Sequence, residues 1–122
     1  VYIAPGGKHM RVVKKGTDYC IKLSDEPAID GLRPCANVMY ESLENCQYDE
    51  ITCVVLTGMG ADGTKGIQGL AAHHKKLHVI AQDADTCVVY GMPKAIAQTG
   101  LVDEVVPLGS VAETITENVG VS

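Results

Sequence analysis

Between residues 58 and 63 the chain reads GMGADG, three glycines with a carboxylate among them, directly after the apolar, β-branched run ITCVVLT (51–57). Two chemistries fit that composition. Gly58, Gly60 and Gly63 satisfy the G-x-G-x-x-G spacing of a dinucleotide-binding turn. Asp83 stands about twenty residues further on, where a ribose hydroxyl would be held. Backbone N–H groups and the helix dipole attract a pyrophosphate in such a turn. Asp62, inside the same turn, would occupy those donors and repel the phosphate.

In the second chemistry Asp62 is the working residue. A carboxylate at a helix N-terminus has its charge stabilised by the dipole and by backbone N–H groups. A carboxylate that orients an imidazole base needs that setting. The glycines keep the loop narrow, and the backbone N–H of Met59 could face a developing oxyanion. The plain structural alternative is that Asp62 caps the helix starting near Gly63. The two roles are compatible, because a capping carboxylate keeps a second oxygen free.

The other reactive side chains do not gather into a pattern. Ser24 follows a hairpin strand, Ser42 sits inside a helix, Ser110 caps a helix and Ser122 is terminal, so none lies on a nucleophile elbow. His74 and His78 have an i, i+4 spacing beside His73, but Lys75 and Lys76 interrupt them and no acidic or cysteine cluster completes a zinc site. Cys53 and Cys87 lack the neighbouring base and electropositive surroundings of a reactive thiol. No cofactor and no metal are expected.

The elements that hold this loop follow from hydrophobic periodicity. Met10–Lys14 and Tyr19–Leu23, separated by Lys15-Gly16-Thr17-Asp18, read as a β-hairpin. Tyr2-Ile3-Ala4 reads as a short strand ended by Pro5-Gly6-Gly7. Ala36–Cys46 places Met39, Leu43 and Cys46 on one helix face. Residues 51–57 suit a strand covered on both sides in a parallel sheet. Ile67, Leu70, Ala71 and His74 mark the next helix, ended by Lys75 and Lys76. Leu77–Ala81 is a second buried strand, Pro93–Gln98 a helix stopped by Gly100, and Val102–Val106 a third strand. Ser110 is placed to cap a last helix carrying Val111, Ile115 and Val119. Strands alternating with helices predict an α/β fold with a parallel sheet and an N-terminal hairpin.

Composition bounds what such a fold does. Of 122 residues 46% are hydrophobic and 20% charged, an ordinary globular balance in one domain's length. The net charge of −5 argues against a nucleic-acid partner. No apolar run approaches the ~20 residues of a bilayer span. With no Phe and no Trp, the core must be aliphatic. Five cysteines, an odd number without a Cys-x-x-Cys pair, read as reduced thiols in a cytoplasmic protein. No secretory signal is visible at Val1, and the absence of Met there raises the expectation that something precedes it.

Five segments in order carry a resemblance: VYIAPGGKHM (1–10), GLRP (31–34), LTGMGADG (56–63), IAQDADTCVVYGMP (80–93) and DEVV (103–106). The chain resembles the catalytic domain of bacterial chemotaxis protein-glutamate methylesterases of the CheB type. The resemblance implies a doubly wound α/β hydrolase, hydrolysis of receptor glutamate γ-methyl esters to glutamate and methanol, and in many members deamidation of receptor glutamines. It implies methylated chemoreceptor cytoplasmic helices as partner and a regulatory receiver domain upstream. Of the family's Ser-His-Asp triad, the Asp falls on Asp62, and the oxyanion donor falls on the Met59 backbone N–H. The family's serine lies on a G-x-S-T-G-G turn and its histidine in a Q-H-M string, and neither string occurs in this chain. His9 before Met10 belongs to the APGGxHM segment and is expected as a hydrogen-bonded turn residue, not as the base. The expectation is therefore a partial domain over residues 1–122, truncated at its N-terminal strands, without turnover of its own. Exposed strand edges would favour self-association. A non-catalytic module with a Rossmann-like nucleotide-binding loop is the competing expectation.

Overall fold

The computed structural model describes residues 1–48, 50–73 and 75–120. The predicted hairpin forms as β1 (His9–Lys15) and β2 (Asp18–Ser24), antiparallel with Val12 opposite Ile21. α1 (Ala36–Ser42) follows and packs on β1. It ends before Cys46 because the chain tightens: Leu43 N–H donates to Tyr40 O and Cys46 N–H to Leu43 O, both i to i−3. Leu43 and Cys46 still reach the core.

The second sheet is parallel, ordered β3 (Glu50–Val55), β4 (Lys76–Gln82), β5 (Glu104–Val106). α2 (Thr64–Ala72) connects the first pair and α3 (Met92–Ala97) the second. Both pack toward one face, where Cys53, Val55, Val79 and Ala81 meet Ile67, Leu70 and Ile96. Side chains alternate across a strand, so the fully buried Ile80 faces the other side. α4 (Val111–Val119), led in by a 3₁₀ turn at Leu108–Ser110, packs there against β3 and β4. Helices on both faces make this the doubly wound α/β arrangement expected.

Three local expectations are corrected. Tyr2–Ala4 forms no strand, and Tyr2 and Ile3 are exposed. α2 ends at Ala72 and Lys76 already belongs to β4, paired with Glu50 at 2.8 Å, so the lysines do not close the helix. His74 lies outside the described residues. The Ser110 hydroxyl makes no capping bond; its carbonyl accepts the Thr114 hydroxyl at 2.8 Å instead.

No helix among the described residues is long and apolar enough to cross a membrane.

Candidate active site

The GMGADG turn leaves the carboxyl end of β3, the edge of a parallel sheet where ligands are bound. Its position is fixed from the next crossover. Gly58 N–H donates to Val89 O at 3.0 Å, and the Gly58 carbonyl accepts Gly91 N–H at 3.1 Å and Met92 N–H at 2.9 Å. A Cβ on Gly91 would stand 2.7 Å from that carbonyl, so only glycine permits this approach. Thr57 and Val89 exchange two further bonds, at 2.9 and 3.1 Å. Behind them the fully buried Gln82 accepts Thr57 N–H at 2.8 Å and donates to Thr86 O at 2.8 Å. The segment 82–93 is thus a bracket for the turn.

Asp62 stands two residues before α2, yet it does not cap that helix; Gly63 is the flanking residue, and no side-chain bond is made there. The carboxylate crosses to α1. Oδ2 accepts Ala36 N–H at 2.7 Å and Oδ1 accepts Asn37 N–H at 3.0 Å. The Cys35 thiol donates to Oδ1 at 3.2 Å. Both oxygens are therefore engaged at the first turn of a neighbouring helix, and neither is left wholly free as the sequence suggested. Oδ2 carries one protein donor and keeps a lone pair. Burial, then the Asp62 carboxylate, push the Cys35 thiol above its ordinary range, so it remains a neutral donor.

α1 returns the contact. The Asn37 side-chain carbonyl accepts Gly63 N–H at 2.9 Å and Gly66 N–H at 2.8 Å. The two N-termini cap each other, Asp62 serving α1 and Asn37 serving α2. This weighs against the dinucleotide reading. Two of the N–H groups that would cradle a pyrophosphate, those of Gly63 and Gly66, are already held by Asn37. Asp83 is occupied too, accepting Thr86 N–H at 3.0 Å and the Thr86 hydroxyl at 2.6 Å within its own turn.

Met59 is 85% exposed, and its backbone N–H has no acceptor among the described residues. A cleft of about 610 Å³ has Asp62 and Met59 in its wall, with Ile29, Leu32, Lys65 and Gln68 at its sides. A second cleft of about 280 Å³, walled by Ala4, Met10, Pro34 and Met39, also reaches Asp62. The carboxylate thus borders two openings.

The remaining candidates lie apart. His9 is fully buried at the start of β1, its Nε2 on Pro27 O at 2.9 Å. His73 Nδ1 lies on Gly69 O at 2.8 Å, and His78 on Glu104 at 2.6 Å. Among the described residues no group of three or more metal-ligating side chains gathers. Ser24 bonds Glu26, and Ser42 bonds Met39 O and Val12 N–H. Among the described residues no serine hydroxyl or histidine nitrogen lies within hydrogen-bond distance of Asp62. Burial holds the Cys53 thiol up at about 11, which removes it as a nucleophile. Sequence reasoning passed over Asn37 and Gln82. The signal for Asn37 was a short polar side chain three residues after a proline, where a helix opens.

In sequence and fold the chain is similar to known proteins. Residues 1–115 match the family described as CheB methylesterase. The protein-glutamate methylesterase/protein-glutamine glutaminase of Desulfotalea psychrophila is 44% identical over 97% of this chain and 32% of its own length. Protein-glutamate methylesterase/protein-glutamine glutaminase 2 of Pseudomonas aeruginosa is 38% identical over 94% of the chain and 32% of its own. Among solved structures, the Thermotoga maritima CheB methylesterase catalytic domain superposes with a TM-score of 0.86 at 34% identity, over 95% of this chain and 60% of that one. The chain spans about a third of the length of the curated relatives it matches.

Proposed function

The chain belongs to the CheB methylesterase family, and we propose that residues 1–122 are the C-terminal portion of a protein-glutamate methylesterase catalytic domain, contributing Asp62 and the Met59 N–H to its site. The observation that carries the reading is Asp62 itself: a carboxylate locked by two backbone N–H bonds, its Oδ2 taking a single donor, in the wall of a cleft. In the proposed reaction a serine hydroxyl attacks the γ-ester carbonyl while a histidine takes its proton. Asp62 accepts the other imidazole N–H and so fixes tautomer and orientation. Met59 N–H donates to the tetrahedral oxyanion. The histidine returns the proton to the departing methoxide, methanol leaves, and water hydrolyses the acyl-serine to free glutamate. Attack on a glutamine amide follows the same path with ammonia leaving. The serine and histidine come from sequence that the family carries ahead of GLRP and LTGMGADG. Methylated chemoreceptor helices are the proposed substrate, and a receiver domain the proposed regulator. Self-association of this chain through its strand edges is part of the same proposal.

Methanol release from methylated receptor tests this. The chain is assayed alone and joined behind the segment of the Thermotoga maritima catalytic domain that precedes the matched region, with Asp62→Asn in each. The joined protein is expected to release methanol, Asp62→Asn to lower kcat by about four orders of magnitude, and the chain alone to release none. Turnover by the chain alone would place the nucleophile within these residues and sink the assignment. Undiminished turnover of the joined Asp62→Asn protein would remove Asp62 from the mechanism.

A further inference from the structure

We infer that Asn37 is a positioning residue for Asp62: by gripping the α2 N-terminus from α1, it fixes the distance and angle at which the carboxylate meets its partner. The inference rests on the reading of Asp62 as the orienting carboxylate. Its basis is a closed circuit of hydrogen bonds. Asp62 Oδ1 accepts the backbone N–H of Asn37 at 3.0 Å, while the Asn37 side chain accepts Gly63 N–H at 2.9 Å and Gly66 N–H at 2.8 Å. One residue therefore holds the carboxylate with its main chain and the backbone just beyond the carboxylate with its side chain.

The geometry assigns the side-chain orientation without ambiguity. Two N–H donors converge on one atom of Asn37, and only the carbonyl oxygen can accept both. The acceptor is what matters, so aspartate could serve and alanine could not.

The circuit is also tightly spaced. A Cβ on Gly66 would stand 3.1 Å from the Asn37 Cα and 2.6 Å from the Tyr40 Cβ, so α1 and α2 meet backbone to side chain with no slack. Without the Asn37 carbonyl, two N–H groups at the start of α2 lose their partner. The turn carrying Asp62 is then held to α1 by the carboxylate's own bonds alone, with the Gly58 bonds on its far side. A carboxylate orienting an imidazole tolerates little displacement, since shifts near 1 Å cost about a hundredfold in rate.

The test has two arms. In the chain itself, amide hydrogen exchange is read at Ala36 and Asn37 (or the substituted residue), the two N–H groups held by Asp62, in the parent, Asn37→Ala and Asn37→Asp. Asn37→Ala is expected to speed exchange of both amides about five- to tenfold, the scale of a lost cap. Asn37→Asp is expected to restore the parent rate, because it keeps the acceptor. Should Asn37→Ala not fold, Asn37→Ser carries the comparison, with an intermediate rate expected from its shorter acceptor. Parent-like exchange in the alanine or serine variant overturns the inference.

In the joined protein described above, Asn37→Ala is expected to lower kcat about 10- to 100-fold with KM within about twofold, and Asn37→Asp to recover kcat. Faster exchange with unchanged kcat would make Asn37 a structural cap only and overturn the positioning role. If Asp62→Asn leaves kcat intact in the same protein, the orienting role of Asp62 fails separately, and the exchange data identify the failure as one of function and not of geometry.

Discussion

Cys53 stands mid-strand in β3 with 1% of its surface exposed, and burial raises its thiol from an ordinary 9.0 to about 11. The neutral thiol is thus favoured in the folded state over the unfolded one. That stabilisation is fully present below pH 9 and is lost as pH climbs through about 11, where the folded protein also begins to ionise. The loss amounts to about 3 kcal/mol. Tyr40, pushed upward mainly by burial, works in the same direction at still higher pH. Thermal melts between pH 8 and 11 should therefore show a falling Tm. Cys53→Ala should lower the plateau but flatten the slope between pH 9 and 11; an unchanged slope would show that Cys53 does not govern it. The residue scale also shows what a sequence can reveal. An acid between glycines after a buried strand is a local signal, and Asp62 was legible from it. Its true partners were not, because Ala36 and Asn37 lie 26 and 25 residues upstream and meet it only through the fold. Local capping rules pointed to α2, the helix next in sequence, and tertiary packing delivered α1 instead.

Among the elements, α1 and α2 meet at Gly66, where any Cβ would stand 2.6 Å from the Cβ of Tyr40. Gly66→Ala should force the helices apart and cost about 1–3 kcal/mol, the usual range for overpacking. Gly109 offers the control, since a Cβ there meets nothing within 4 Å. Gly109→Ala should stay within about 0.5 kcal/mol of the parent in urea denaturation. Equal midpoints for the two variants would mean that α1 and α2 are not tightly coupled. Elements with strong periodicity were legible: the hairpin, β3, α2, β4 and α3 fall within a few residues of their sequence expectations. The misses share a cause. Tyr2–Ala4 has strand composition but no partner strand among the described residues, and β propensity without pairing makes no strand. Residues 43–46 keep helical spacing, but the chain turns there in tighter steps, with the Ser42 hydroxyl bonded back to Met39 O at 2.5 Å and receiving Val12 N–H from β1. Residues 80–93 form a motif in the sequence, yet the bracketing purpose of 82–93 emerges only when Gly91 is seen against the Gly58 carbonyl.

At the scale of the molecule, a parallel sheet of three described strands has two open sides, β3 and β5. Parallel sheets are usually covered on their faces and extended at their edges. On β5, Val105 is 58% exposed, and Leu56 and Leu108 are also open to solvent. Unpaired N–H and C=O groups beside apolar side chains are a template for another chain. Against that stands a net charge of −5, which makes copies repel over roughly a Debye length. Repulsion is screened by salt and apolar contact is not, so salt separates the two effects. Light scattering should give a mass that rises with concentration, and rises more steeply in 0.5 M salt, where the Debye length is only about 4 Å. Val105→Lys places a charge on the exposed edge strand and should pull the mass back toward that of a single chain. A single-chain mass at every concentration and salt level would show that the edges are covered within one copy. A rise that Val105→Lys leaves untouched would move the contact to β3, the other outer strand.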